Sequence, residues 1–460
     1  MKEQSQRLGT QPIPKLLWNL SAPAMIGMFV MALYNVVDTL FIARGVGIMG
    51  VAGVSIGFPV MMIIMAISAA IGIGGASVIS RRLGEERPEQ ANYVFGNILF
   101  MVVAVSLIGL IGAFTFMEPL LILFGATPDI LPYATDYLYP IMLGSIFFSF
   151  AFTTNNIIRS EGNSRFAMMT MIIPAVLNIA LDPIFIFVLD MGVMGASVAT
   201  VISQASVSII VLRYFLGGSS TLKVRLANLK PDFTPIKEVI NIGMPAFVRQ
   251  VAGSGMMIAI NFMLIKFGGE FEVGVFGIVQ KVTLFAIMPM IGVLQGMQPI
   301  IGYNYGAQNY DRLRETIILG MKVVTTISAI VFVVMMIFPE VLMQIFTGDA
   351  TTIESGAHAM RIMFALAILI GIQVVSGGLY QALGMAKPAM VLSMARQVLF
   401  LIPLVLILPY FFEVTGVWLA FPLSDILAFT LSVFYLYKDR HLFFKFPNHD
   451  DNSYATAPSS

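Results

Sequence analysis

Apolar stretches of about 20 to 28 residues recur along the whole chain, each closed by a polar or Gly/Pro break, and that length is what a helix needs to cross a bilayer. Twelve spans are predicted, at about 15–43, 51–80, 92–116, 132–158, 165–189, 193–216, 238–266, 272–302, 315–338, 355–383, 388–411 and 416–437. Lys and Arg sort the breaks into two sets. Nineteen fall in one alternating set, only Arg44, Lys266 and Arg361 in the other, and Arg249, Lys281, Lys322 and Arg396 inside spans. This asymmetry predicts an even number of spans, with both termini in the cytoplasm. Composition agrees. Of 460 residues, 58% are hydrophobic and 11% charged, with mean hydropathy +0.88, against roughly 25% charged in soluble domains. The expected fold is an all-α polytopic membrane protein, because lipid leaves the backbone no partner but itself.

The spans repeat. Asn19, Pro23 and Ala24 return as Asn241, Pro245 and Ala246, an offset of 222. Gly84 returns as Gly306, Phe124 as Phe346, and Gly162, Ala167 and Met168 as Gly384, Ala389 and Met390, all at the same offset. After one residue of slip, Gly195, Ala199 and Ser203 fall near Gly416, Ala420 and Ser424. Six spans separate the copies, so both halves share one membrane orientation, a parallel repeat about an axis along the membrane normal. The expected organisation is an N-terminal lobe at 1–216, a Gly/Ser/Lys/Pro-rich cytoplasmic linker at 217–237, a C-terminal lobe at 238–438 and a cytoplasmic tail at 439–460, disordered from Phe446. Two lobes about a cleft suit alternating access.

Charge and polarity inside the spans carry the chemistry. Asp38 and Asp182 lie within apolar runs, where a carboxylate costs about 2.5–3.5 kcal/mol on translocon scales. Asp38, Asp182 and Thr200 each lie about 9–12 Å below the external end of their helices at helical rise. Asn178 and Asp182 share a helix face, as do Tyr34, Asn35 and Asp38. Pro183 frees the carbonyl of Ile179 beside Asp182. Carboxylate, amide, hydroxyl and carbonyl oxygens form a shell for a hard cation such as Na⁺, or two close carboxylates share a proton, or each acid only bonds a neighbouring helix. The second lobe has Ile260 where the first has Asp38, and carries Arg249, Lys281, Arg396 and Asp425 instead. Depth predicts a Lys281–Asp425 pair or a cationic patch facing substrate. Asn155 either lines the cavity floor or bonds between helices. Pro23 and Pro183 are the candidate helix bends.

Other classes find little support. With no Cys and only three His, thiolate chemistry and Cys or His metal sites are excluded, and no resident cofactor is expected. A net charge of +1 without a basic stripe gives no reason to expect nucleic acid. The glycine-rich stretch at Gly72–Gly75 lies within a span and lacks a phosphate-binding Lys. No hydrolase or nucleotide motif appears, so an ion gradient is the expected energy source.

The stretches PAMIGMFVMALYNVVDTLFIARG, ASVISRRLGEER, IIRSEGNSRFAM and LNIALDPIFI resemble the multidrug and toxic compound extrusion (MATE) transporters, in particular the DinF-type branch close to MepA-like pumps. The resemblance covers essentially all spans. It implies a cation or proton site at Asp38, Asn178, Asp182 and Thr200, with Tyr34 and Asn155 nearby. NorM-type members carry an acid in span seven; PAFVRQVAGSG here has none. The expectation is a monomeric inner-membrane antiporter, without enzymatic activity, exporting amphipathic or cationic organic compounds against H⁺ or Na⁺. A flippase for a lipid-linked precursor is the alternative, with a membrane enzyme or receptor further behind.

Overall fold

The computed structural model describes residues 2–441; the chain from Phe446, expected to be disordered, lies outside them. Sixteen α-helices, two π-helical segments and two 3₁₀ turns make up the described fold, with no strand among the described residues. The first half holds α1 (Lys2–Thr10), α2 (Ile13–Gly45), α3 (Ile48–Gly84), α4 (Pro88–Leu123), α5 (Leu131–Leu143), α6 (Ser145–Ser160), α7 (Ser164–Pro183) and α8 (Gly192–Leu216). The second holds α9 (Phe233–Gly306), α10 (Tyr310–Ile337), α11 (Pro339–Gln344), α12 (Ala350–Met363), α13 (Ile370–Ala382), α14 (Ala386–Met394), α15 (Ile402–Ile407) and α16 (Pro409–Lys438).

Large apolar side chains stay exposed around the whole body, among them Leu123 at 76% and Ile108 at 69%. Lipid is the solvent that makes such a surface stable. Among the described residues, nine helices are long and apolar enough to cross, and two bent pairs, α5/α6 at 57° and α12/α13 at 51°, are broken spans. The 74-residue α9 turns at Gly269, which has φ of 73°. Counted as two limbs, it brings the total to twelve spans. The breaks at Gly144 and Leu366 interrupt stretches expected to be continuous, and they stand at the repeat offset.

Left-handed residues trace the same repeat. Gly47 pairs with Gly269, Glu86 with Gln308 and Gly162 with Gly384, each 222 residues apart. A turn that tight needs positive φ, which glycine takes at no steric cost. The halves meet mainly along α3 and α9. An ideal Cβ on Gly74 would stand 2.1 Å from the carbonyl oxygen of Val239, and one on Gly243 would stand 1.9 Å from that of Ala70. Gly84 and Gly306 sit equally close to the carbonyls of Tyr303 and Arg81. Without side chains at these points, backbones touch.

The connection after α8 is fastened rather than free, and α9 begins at Phe233, four residues before the expected end of the linker. Asp232 caps it, accepting from the Thr234 N–H at 2.8 Å. Asn92 and Asn97 each accept a linker N–H, from Lys223 and Asp232, at 2.8 Å. Glu161, fully buried between α6 and α7, accepts from Ser220 Oγ, the Leu222 N–H and Tyr214 Oη.

Candidate ion site and interlobe seam

Asp38 stands on the last third of α2, Asp182 near the end of α7 and Thr200 on α8, and the fold brings all three together. Asn178 Nδ2 donates to Thr200 Oγ1 at 3.1 Å, and Tyr34 lines the same small cavity. The Asp38 and Asp182 carboxyls face each other within hydrogen-bonding reach. Yet Asp38 Oδ1, both oxygens of Asp182 and Asn178 Oδ1 are buried without a protein donor. Four acceptor oxygens therefore lie together without a well-formed hydrogen bond, although the Asn178 amide lies beside Asp182. Each such orphan costs about 1–3 kcal/mol. A proton shared between the carboxyls, or a cation bound among the oxygens, removes that cost. No cluster of three or more His, Cys, Asp or Glu capable of holding a metal occurs among the described residues. Two carboxylates with neutral oxygens around them suit a monovalent ion better than a transition metal.

Pro183 marks the point where α7 passes into a π-helical segment, Ile184–Val188. Pro23, by contrast, lies inside one uninterrupted helix from Ile13 to Gly45. Asn35 is exposed and donates to its own helix at Met31 O, 2.7 Å away. Asn155 bonds between helices, to Ala167 O at 2.7 Å and Thr170 Oγ1 at 2.8 Å, and so does not line a cavity floor. Tyr137 on α5 is a member of the cluster that reasoning on spans one, five and six missed. It is buried and lies near both carboxylates and Tyr34. Its depth in span four was the available signal.

In the second half, Asp425 does not pair with Lys281. Its Oδ1 accepts from Arg396 Nε at 2.6 Å, and the Asp425 side chain is completely buried. Gln373 donates to the Asp425 carbonyl at 2.9 Å. Lys281 and Arg249 are both exposed. Arg396 stands in the π-helical segment Ala395–Leu401, where the turn departs from the regular 3.6-residue period.

The seam between the halves is sealed on the face that carries the described termini. Arg81 and Arg82 both pair with Glu238, at 3.1 and 3.2 Å. Ser77 Oγ donates to Gln381 O at 2.7 Å, and Arg159 donates to Gln295. These polar links thin out away from that face; Gln250 Nε2 reaches Met62 Sδ at 3.3 Å about midway along α3. The arrangement is closed toward the basic face, with the acidic pair in the half of the membrane beyond the seal.

Twelve spans in a twofold repeat, closed at one face, with unsatisfied acids buried in one half, define a membrane transporter architecture. The chain belongs to the MatE family, whose model matches residues 23–184 and 245–407, once in each half. A solved ligand complex of the MATE multidrug transporter DinF-BH is 62% identical, with TM-score 0.89, covering 96% of this chain and 99% of that one. The multidrug export protein MepA of Staphylococcus aureus is 27% identical over 444 residues, 95% of this chain and 97% of MepA. An outward-facing multidrug resistance MATE transporter of the MOP superfamily is 26% identical, with TM-score 0.89, over 95% and 98% of the two chains.

Proposed function

We propose that this protein is a secondary antiporter of the inner membrane. It exports amphipathic, often cationic, organic compounds in exchange for H⁺ or Na⁺, works as a monomer and catalyses no covalent chemistry. The observation that carries the reading is the set of orphaned oxygens at Asp38, Asp182 and Asn178. It is supported by the likeness to the multidrug transporters DinF-BH and MepA. The preponderance of Lys and Arg on one set of connections supports a cytoplasmic location for the sealed face, so the acids meet the external medium. The external ion binds the acids, neutralises them and changes how α2 packs on α7. Substrate leaves because the ion binds the two arrangements unequally; equal affinity would shift nothing.

The test is ethidium efflux from proteoliposomes, with a pH gradient and a Na⁺ gradient imposed separately. Wild-type efflux should follow one gradient, and Asp38→Asn should abolish it. Full efflux by Asp38→Asn would refute the mechanism. No efflux under either gradient, from folded protein, would bring forward the lipid-linked flippase.

A further inference from the structure

A polar cavity of about 250 Å³ opens beside the seam, on the face that carries the termini, and the ion site does not use it. Its walls are Arg7 and Gln11 from α1 and the turn after it, Asn19 from α2, and Asn163, Ser164 and Arg165 from the start of α7. No acidic residue lines it among the described residues. The neighbouring Glu161 carboxylate is held by Ser220, Leu222 and Tyr214.

We infer that this cavity binds a phosphate-class anion, either the headgroup of an anionic phospholipid or free phosphate. Three separate features converge there. Ser164 is 2% exposed, yet its Oγ has no hydrogen-bond partner. The first turn of α7, a 20-residue helix, offers its N–H groups and the positive end of its dipole. Asn163 caps only the Phe166 N–H, and the Ala167 N–H bonds Asn163 O. The N–H groups of Ser164 and Arg165 have no intrahelical acceptor. Finally, Arg165 occupies that positive helix end with no acid in the first turn, a placement that is unfavourable until an anion joins it. Arg7, from α1, lines the cavity too. Two guanidinium groups beside a helix N-terminus add to its positive potential.

The cavity is lined by the first half alone, but one of its walls is held by the second. α1 is tied to the second half, because Arg312 Nη2 donates to Gln11 O at 2.6 Å and Asn304 Nδ2 to Leu8 O at 2.9 Å. The opposite wall is α7 of the first half. An anion there bridges groups anchored on both sides of the seam.

The experiment uses the full chain, purified and delipidated, at constant ionic strength. One arm titrates inorganic phosphate against chloride and reads the melting temperature. The other titrates phosphatidylglycerol and counts bound lipid by native mass spectrometry. Both arms compare wild type with Arg165→Gln and with Arg7→Gln/Arg165→Gln. These side chains are exposed, and the ligand-free melting temperature checks that each variant folds. Binding should weaken about tenfold or more for each arginine removed. A variant-sensitive response to lipid alone assigns a headgroup, to phosphate alone a free ion, and to both the shared chemistry. Wild type that binds neither, or variants that bind as tightly as wild type, overturns the proposal.

Discussion

Gly243→Ala tests how the seam closes. The new Cβ would stand 1.9 Å from the Ala70 carbonyl oxygen, where real Cβ contacts do not fall below 3.0 Å. α9 and α3 must therefore part by about 1.1 Å at that level. The nearby contacts have little slack, since Ser77 Oγ reaches Gln381 O at 2.7 Å and Arg81 reaches Glu238 at 3.1 Å. Overpacking of a fitted interface costs about 1–3 kcal/mol. Falling on one of two arrangements, that shifts their ratio by about 5- to 150-fold. The chain contains no cysteine, so spin labels at Gln90→Cys and Glu315→Cys, exposed positions on α4 and α10, report the seam without background. Pulsed EPR should show a longer distance population in Gly243→Ala. The control is Gly253→Ala on the same helix, where nothing lies within 4 Å of the added carbon. If both variants give the wild-type distribution, backbone contact at Gly243 does not set the closed arrangement.

Further outcomes follow from the buried charges and the linker. Arg396→Met should destabilise the protein by about 3–5 kcal/mol, because Asp425 is left buried and uncompensated, while Arg396→Met/Asp425→Leu should recover most of the loss; denaturant unfolding measures both, and an equal loss in the double variant would contradict the pairing. Burial pushes the Glu161 carboxyl up to about 6 from its ordinary value of 4.5, against the opposing pull of its hydrogen bonds. The folded protein then holds more protons than the unfolded chain between those values. Relative to Glu161→Gln, wild-type stability should fall by about 2 kcal/mol as pH rises through that window and stay level above it; parallel profiles for the two proteins would refute this. Asn97→Ala removes the acceptor for the Asp232 N–H, which costs about 1–3 kcal/mol and should speed tryptic cleavage at Lys223, Arg225 or Lys230; an unchanged rate would mean that Asn97 does not hold the linker.

Much of this architecture is legible in the sequence because lipid removes alternatives. A span must be helical, apolar and about twenty residues long, so the spans and the 222-residue repeat stand out. Depth along a helix is equally readable, and it brought Asp38, Asp182 and Thr200 to one level. Azimuth is not. Depth matched Lys281 to Asp425, yet the residue that pairs with Asp425 is Arg396, in the π-helical segment Ala395–Leu401. The break at Gly144 was hidden because apolar character continues through it. Asn155 was ambiguous because an amide serves a cavity and a helix contact equally well. The linker looked like a tether in composition, and only the folded chain shows Asn92, Asn97 and Glu161 gripping it.

The two halves have diverged unevenly, and the pattern has a physical reading. Gly74 corresponds to Gly296 and Gly84 to Gly306, and each of the four approaches a backbone or side chain of the opposite half too closely for a Cβ. Such pairs keep the two faces of the seam in contact, although the match is incomplete, since Gly243 corresponds to Ser21. The candidate ion site has diverged further. Asp38 corresponds to Ile260, which is fully buried and apolar. Asp425 corresponds to the uncharged Gln204, given the one-residue slip that also sets Glu413 against Gly192, both at positive φ. On the proposed mechanism, an ion bound in the first half would bias the position of the second without any acid there. The second half is then free to keep Arg396 and Asp425 as an internal pair, which is where the structure holds them.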